Sequence, residues 1–368
     1  MIVRQLRASG WRNLQPVSLA PSARVTVFFG QNGQGKTNLL EAAFYLSEFR
    51  SFRTKTAAEL TQWGAPVTRL AAEIATGGLD RRIDIELAPG RKLVRVDGKP
   101  IRRDSAALSG IGVVVFVPED LLLPRAAPAA RRSFLDRAAY NVDRRFYGEA
   151  VDFQKVLKSR NALLRKGGPR PALLETYDEE LARTGARLVQ RRRSLTAALA
   201  PRVRSLFIAL HADLEVSIAY RSDPSVEAAG DEAEIAAALR AGLVRVRAVD
   251  LRRGFTGFGP HSDDLEIKLA GRLVREHGSQ GQVRSLVLAL KLAELQNLAD
   301  TLGEPPLLLL DDVASELDEI RRQRLFETIA ATPGQTFISV TDRDLIPAIP
   351  GRVDFRVAAG SIELYSPG

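Results

Sequence analysis

Two stretches of the chain hold residue types able to work on a phosphate group. Gly30-Gln31-Asn32-Gly33-Gln34-Gly35-Lys36-Thr37 fits G-x-x-x-x-G-K-[ST] at every position. Glycines in such a loop let backbone N–H groups turn inward around phosphate oxygens, where a Cβ would obstruct them. Lys36 is then placed to bridge the β- and γ-phosphates, and the Thr37 hydroxyl to hold Mg²⁺. Far along the chain, the apolar run 307–310 ends in Asp311-Asp312. A carboxylate at the tip of a strand beside a phosphate loop completes the Mg²⁺ shell, which assigns Mg²⁺ to Thr37 and Asp311. Asp312, one residue further out, is a general base for the attacking water, or else the cap of a following helix, a position that Asp suits. The chemistry is binding and hydrolysis of a nucleoside triphosphate.

These residues need particular elements to hold them. The apolar run 24–29 reads as a strand entering the loop. Leu39, Leu40, Ala43 and Leu46 share one face of a helix leaving it, whose N-terminus faces the anion. The runs 307–310 and 336–340 are short, apolar and bounded by polar turns, as buried parallel strands are. From residue 1 to 118 short β runs alternate with turns such as Asp97-Gly98. From 119 to 245 the texture is helical, punctuated at Gly167-Gly168-Pro169 and at 223–231. From 246 to 368 β and α signals alternate again, with a long helix near 284–298. The expected fold is therefore α/β: a head of mixed sheet and flanking helices, assembled from 1–118 plus 246–368, with 119–245 as an inserted helical arm. In that arm Leu174, Tyr177, Leu181, Leu188, Leu195 and Leu199 fall on one helical stripe. Arg183, Arg187 and Arg191 form a separate row, Arg192 breaks the apolar line or snorkels from it, and Pro201 predicts a kink or a new helix.

Further motifs narrow the class. Gly278-Ser279-Gln280-Gly281-Gln282, ahead of the long helix, resembles the signature motif of ABC-type ATPases, and Ala314-Ser315-Glu316-Leu317-Asp318 resembles their D-loop. Within that class the chain is similar to the RecF recombination-repair family. The similarity rests on Trp11-Arg12-Asn13, Ser51-Phe52-Arg53-Thr54, Pro118-Glu119-Asp120-Leu121, Ala130-Arg131-Arg132-Ser133-Phe134-Leu135-Asp136, Arg160-Asn161-Ala162-Leu163-Leu164 and Gly259-Pro260-His261-Ser262-Asp263-Asp264, in that order along the chain. The resemblance implies an ABC-type head binding ATP and Mg²⁺, with Arg12 and Arg53 as further nucleotide contacts. It also implies an ATP-dependent homodimer in which Ser279, Gln280, Gly281 and Gln282 of one chain meet the nucleotide held by the other. Slow, DNA-stimulated hydrolysis, recombinase loading at gapped DNA with RecR and RecO, and support of the SOS response belong to the same expectation. Ala126 and Pro124 depart from the family pattern in a loop, and Ser262 stands where an Arg is expected. Thr341-Asp342 occupies the place of an ABC-type switch His, and Glu119 and Asp120 are the nearest candidates for a Q-loop.

Composition sets the outer limits. The 368 residues include no Cys and three His, which excludes disulfides, thiolate metal sites and Cys nucleophiles. No apolar run approaches the roughly 20 residues of a membrane helix, and the charged N-terminus lacks a signal-peptide stretch, so a cytoplasmic protein is expected. The net charge is +9. Between 131 and 204 there are 18 Arg or Lys against 8 Asp or Glu, so the whole positive balance lies in the arm. Such a patch suits sequence-independent phosphate contact with DNA, with Arg183, Arg187, Arg191 and Arg193 as candidates; a solvated face or a surface for an acidic protein is the alternative. A membrane-transporter energising subunit is the rival function, and it calls for a Gln loop and a switch His.

Overall fold

The computed structural model describes residues 1–101, 110–165, 171–211 and 214–366. The expected loop Gly167-Gly168-Pro169 lies outside them. The chain divides into two compact units. The first comprises Met1–Leu122, Arg284–Gly368 and the last residues of the helix Pro171–His211; the second comprises Leu123–Ile208 and Asp213–Val283.

The first unit is built on a six-stranded sheet in the order Ser361–Leu364, Arg352–Ala358, Val25–Phe29, Thr336–Val340, Leu307–Asp311, Val113–Phe116. All neighbours are parallel except the edge hairpin of Ser361–Leu364 with Arg352–Ala358. Strands from both chain ends interleave, so Val27 pairs with Ile338 on one side and with Asp354 on the other. The strands Val113–Phe116, Leu307–Asp311 and Thr336–Val340 are buried along their whole length, which explains their unbroken apolar runs. Phe28 stacks on Phe355 at 5.7 Å and meets Phe337 edge-on at 5.8 Å.

The helix Lys36–Glu48 leaves the central strand's loop with Leu39, Leu40 and Phe44 buried. A six-stranded antiparallel sheet, including Ile2–Ser9, Thr68–Thr76 and Leu79–Ala88, buries Leu70, Ala72, Ile74, Ile83, Ile85 and Leu87 in the same core. Gln335 links the two sheets: it accepts from Val3 N at 2.8 Å and donates to Val3 O at 2.9 Å and Ser22 O at 2.7 Å.

In the second unit the helices Pro128–Val142, Phe146–Arg165, Pro171–His211 and Glu232–Arg253 accompany a three-stranded sheet formed by Val216–Arg221, Asp264–Leu269 and Arg272–Leu273. The expected arm boundary at 245 needs correcting, because it falls inside the helix Glu232–Arg253. Residues up to Val283 stay with this unit because Asp264–Leu269 pairs with Val216–Arg221 along six residues. The apolar stripe from Leu174 to Leu199 is buried as its spacing requires, with Tyr177 half-buried.

Two local expectations differ from what is observed. The helix Pro171–His211 runs as one element through Pro201, so the new helix expected there as one alternative does not begin. Arg192 does not snorkel; it is buried, paired through two hydrogen bonds with Asp136 at 2.7 and 2.9 Å, and donates to Pro260 O at 2.6 Å. A guanidinium with this many acceptors keeps its charge inside the protein, and its pKa is raised above the ordinary value by Asp136 against the opposing effect of burial.

Candidate nucleotide-binding site

The loop 30–37 joins the sheet's central strand to the helix Lys36–Glu48, and its shape depends on glycine. Gly30, Gly33 and Gly35 have φ of +151°, +79° and +115°. At Gly30 a Cβ would lie 2.2 Å from Val357 O, and at Gly35 2.8 Å from Leu14 Cδ2, so packing as well as backbone geometry excludes side chains there. Gln31, Asn32 and Gly33 form the exposed tip. Gln34 fixes the loop to a hairpin turn: its carbonyl accepts from Gly360 N at 3.0 Å and its Oε1 from Ala359 N at 2.6 Å. Lys36 folds back on the loop and donates to Gly30 O at 2.6 Å and Gln31 O at 2.9 Å. Burial lowers its pKa, with Asp312 and Asp311 opposing.

Across the sheet, Thr37 Oγ1 donates to Asp311 Oδ1 at 2.9 Å, and Ser339 Oγ donates to the same oxygen at 2.5 Å. Burial pushes the Asp311 pKa above the ordinary carboxylate value, and the two hydroxyls pull it back. Octahedral Mg²⁺ with ligands about 2.0–2.1 Å away holds neighbouring ligands about 3 Å apart, so the Thr37–Asp311 spacing fits the ion. Asp312 adopts φ of +50°; its N–H donates to Ser339 O and Oγ, both at 3.0 Å, and its carboxylate accepts from Ser315 Oγ at 2.7 Å. It stands at the N-cap position of the 3-10 turn Val313–Glu316, but its side chain makes no capping hydrogen bond to a backbone N–H of that turn. Asp318 caps the helix Glu319–Ala331 by accepting from Arg321 N at 3.0 Å.

Trp11, Arg12 and Asn13 wrap the first turns of the helix Lys36–Glu48. Trp11 Nε1 donates to Asn38 O at 2.8 Å and Asn13 Nδ2 to Gly33 O at 3.2 Å. Arg12 donates to both oxygens of Glu41 at 2.8 and 2.7 Å, and Arg53 donates to Asn38 Oδ1 at 2.7 Å. The Ser51 hydroxyl also donates to Glu41. Glu41 is thus the anchor that places Arg12, with an Arg53 nitrogen 3.8 Å away, and the sequence offers no sign of it beyond a carboxylate on an otherwise apolar helix face. Ser339 and the turn at 359–360 escaped the sequence reading for the same reason, since their partners are remote along the chain.

The loop, Asp311, Asp312, Ser315, Asp318, Arg12 and Arg53 all belong to the first unit. Ser279, Gln280, Gly281 and Gln282 belong to the second. Ser279 caps the helix Gln280–Leu302 in a reciprocal box: Gln282 N donates to Ser279 Oγ at 3.2 Å and Ser279 N to Gln282 Oε1 at 2.8 Å. Of the Q-loop candidates, Glu119 is exposed, while Asp120 is paired with buried Lys291 at 3.0 Å and accepts from Val117 N at 3.1 Å. Among the arm arginines, Arg191 is held by Glu149 and Asp143, and Arg193 by the carbonyls of Ala229 and Val226. Arg183 and Arg187 keep side-chain exposures of 50% and 40%, with single partners Glu180 and Glu232.

The chain is 45% identical over 366 residues to the DNA replication and repair protein RecF of Anaeromyxobacter sp. (strain Fw109-5), covering 98% of this chain and 99% of the relative. The chain belongs to the RecF family. The RecF of Myxococcus xanthus (strain DK1622) is 42% identical over 345 residues, covering 93% of this chain and 91% of the relative. A solved structure of the recombination mediator RecF with ATP, of the RecFOR pathway, superposes with a TM-score of 0.91 at 29% identity, over 99% of this chain and 98% of that one. An Smc head bound to the C-terminal winged-helix domain of ScpA matches with a TM-score of 0.58 at 15% identity, which extends the ABC-type head fold beyond the RecF family. No family model matches the chain. Kinship with DNA replication and repair proteins disfavours the transporter reading. Among the described residues no helix is long and apolar enough to cross a membrane.

Proposed function

We propose that the chain is an ATP-dependent DNA-binding switch of recombinational repair, with Mg²⁺-ATP held at 30–37. The observation that carries this reading is the meeting of Thr37 Oγ1 and Asp311 Oδ1 at 2.9 Å, from positions 274 residues apart, beside glycines that only an inward-turned loop requires. Thr37 and Asp311 would hold Mg²⁺, which when bound neutralises charge on the phosphate oxygens. Lys36, freed from the Gly30 and Gln31 carbonyls, binds the β- and γ-phosphates. Arg12 reaches the nucleotide from the Glu41 anchor, and Arg53 from beside it. Asp312, steadied by Ser315, orients and deprotonates the attacking water.

ATP supports closure of two chains, because the Ser279 hydroxyl and the positive end of the helix behind it can meet a partner's γ-phosphate, in place of the capping bonds that Ser279 and Gln282 now exchange. Thr341-Asp342 in place of a switch His suits slow hydrolysis. Arg183 and Arg187, each paired with a single glutamate, stand with exposed Lys155, Lys158 and Arg204 as arm cations able to meet DNA phosphates, whereas Arg191 and Arg193 chiefly brace the arm. Family membership supports action with RecO and RecR in the cytoplasm, in recombinase loading and the SOS response. Equilibrium ATP binding tests the core of the reading: Lys36→Met abolishes it, and wild-type affinity in that variant removes the phosphate-loop assignment.

A further inference from the structure

We propose that the outer side of the helix Glu232–Arg253 docks an amphipathic helix of another protein, one whose apolar stripe is flanked by carboxylates. The helix is apolar on two opposite sides. At about 100° per residue, Ile235, Leu239 and Gly242 fall on one side, and all three are buried. A Cβ at Gly242 would lie 2.1 Å from the Phe258 ring, so this side is already packed to contact. Ala237, Ala241, Val244, Ala248 and Leu251 fall within about 80° of one another on the other side, and all five are exposed. Val244 is 51% and Leu251 39% exposed, and Phe255, just past the Gly254 cap, is 49% exposed. A helix that is apolar all round belongs in an interior, so its second side calls for a cover.

The spacing selects another helix as that cover. Positions 237, 241, 244, 248 and 251 alternate steps of four and three, the seam that a second helix meets with knobs in holes. Three of the five are alanine. Alanines let a helix backbone come close, yet they offer little bulk to insert into a lipid surface.

Charge selects the sign of the partner. Arg240 borders the stripe on one flank and Arg245 and Arg252 on the other, and Arg253 ends the helix; all four are exposed. Arg245 is paired with Asp223 at 2.8 Å, whereas Arg240, Arg252 and Arg253 have no ion pair among the described residues. The helix brings one carboxylate to these flanks, Glu234 in its first turn, and Gly230 N donates to it at 2.7 Å. A second copy would set arginine against arginine. A helix with Glu or Asp beside its apolar stripe instead satisfies the arginines while covering Val244 and Leu251. Duplex DNA offers phosphates but no apolar ridge for those two side chains.

The test titrates full-length protein into two labelled synthetic helices, read by fluorescence anisotropy. Both carry Leu and Ala at alternating steps of three and four; one is flanked by Glu and the other by Lys. Wild type should bind the Glu-flanked peptide at least about tenfold tighter than the Lys-flanked one. Val244→Glu and Leu251→Glu, made singly, should each weaken the Glu-flanked peptide at least about tenfold at an unchanged urea midpoint. Arg240→Glu combined with Arg252→Glu should reverse the preference, an outcome that damage to the fold does not produce. Equal affinity for the two peptides, binding of neither, or binding that survives both single variants overturns the proposal. Self-association of wild type that Leu251→Glu abolishes also overturns it, assigning the face to a second copy. Where neither peptide binds but duplex DNA or phosphatidylglycerol vesicles do, and both single variants lose that binding, the face belongs to nucleic acid or lipid instead.

Discussion

The Arg12–Glu41 pair gives an asymmetric stability prediction. Glu41 has 0% side-chain exposure, Arg12 has 16%, and two hydrogen bonds of 2.7 and 2.8 Å join them. Removing Arg12 strands a carboxylate inside the protein with the Ser51 hydroxyl and Arg53, whose nearest nitrogen is 3.8 Å away. Breaking a buried ion pair from one side costs about 3–5 kcal/mol, and these residual partners place Arg12→Ala near about 3 kcal/mol. Glu41→Gln keeps the side chain's shape and one acceptor, and the partly exposed guanidinium can turn to water, so about 1–2 kcal/mol is expected. In the double variant no charge is stranded, and much of the Arg12→Ala loss should return, a coupling of at least about 1.5 kcal/mol. Urea unfolding of the nucleotide-free protein measures all four corners of the cycle. Additive single effects within about 0.5 kcal/mol would refute the anchoring role of Glu41. A stable Arg12→Ala protein with weakened ATP binding would make Arg12 a nucleotide ligand that Glu41 does not need to hold.

Asp312→Asn should bind ATP normally and hydrolyse it at least about a hundredfold more slowly, the lower end of general-base catalysis; unchanged turnover takes Asp312 out of the mechanism. Replacing Arg183 and Arg187 together with Ala should weaken duplex binding and reduce the slope of log K against log salt by roughly 2, while an unaltered slope favours a merely solvated face. Asp263, which accepts from the Tyr220 hydroxyl at 2.6 Å, has its pKa pushed up from 3.8 to about 6 by burial, with Tyr220 and Arg192 pulling it back. The folded protein therefore holds a proton there that the unfolded chain releases at lower pH. That contribution is complete below about pH 4 and lost as pH rises through about 6, a change of about 3 kcal/mol. Asp263→Asn removes this titration, so its stability relative to wild type should rise by that amount between pH 4 and pH 7.5; a difference constant across that range contradicts the burial argument.

The same burial explains two motifs whose purpose the sequence leaves open. Arg131 pairs with Asp264 through hydrogen bonds of 2.7 and 2.6 Å, Arg132 donates to Asp263 O at 2.5 Å, and Arg192 joins Asp136 to Pro260. The Arg-Arg segment and the Gly-Pro-His segment are therefore partners in one buried polar network. Read along the chain, Arg131 and Arg132 look like surface cations and contribute to the arm's apparent positive charge. In the folded unit they are engaged, and the basic face is represented by others such as Arg183, Arg187, Lys155, Lys158 and Arg204.

What the sequence by itself determined was local. A phosphate loop is a run of backbone conformations that glycines at 30, 33 and 35 permit, and Asp311 announces itself by ending an apolar run. The alternation of short strands and helices likewise follows from hydrophobic period and places both chain ends in one α/β head. What only the tertiary structure decided was pairing. Glu41 as the anchor of Arg12, Ser339 as the second donor to Asp311, the hairpin turn on Gln34 and the burial of Arg192 all join residues remote along the chain. A carboxylate or guanidinium carries the same letter whether it is solvated or enclosed. Its role is settled by which strands and helices pack around it, and that depends on the desolvation cost being met by partners no local window contains.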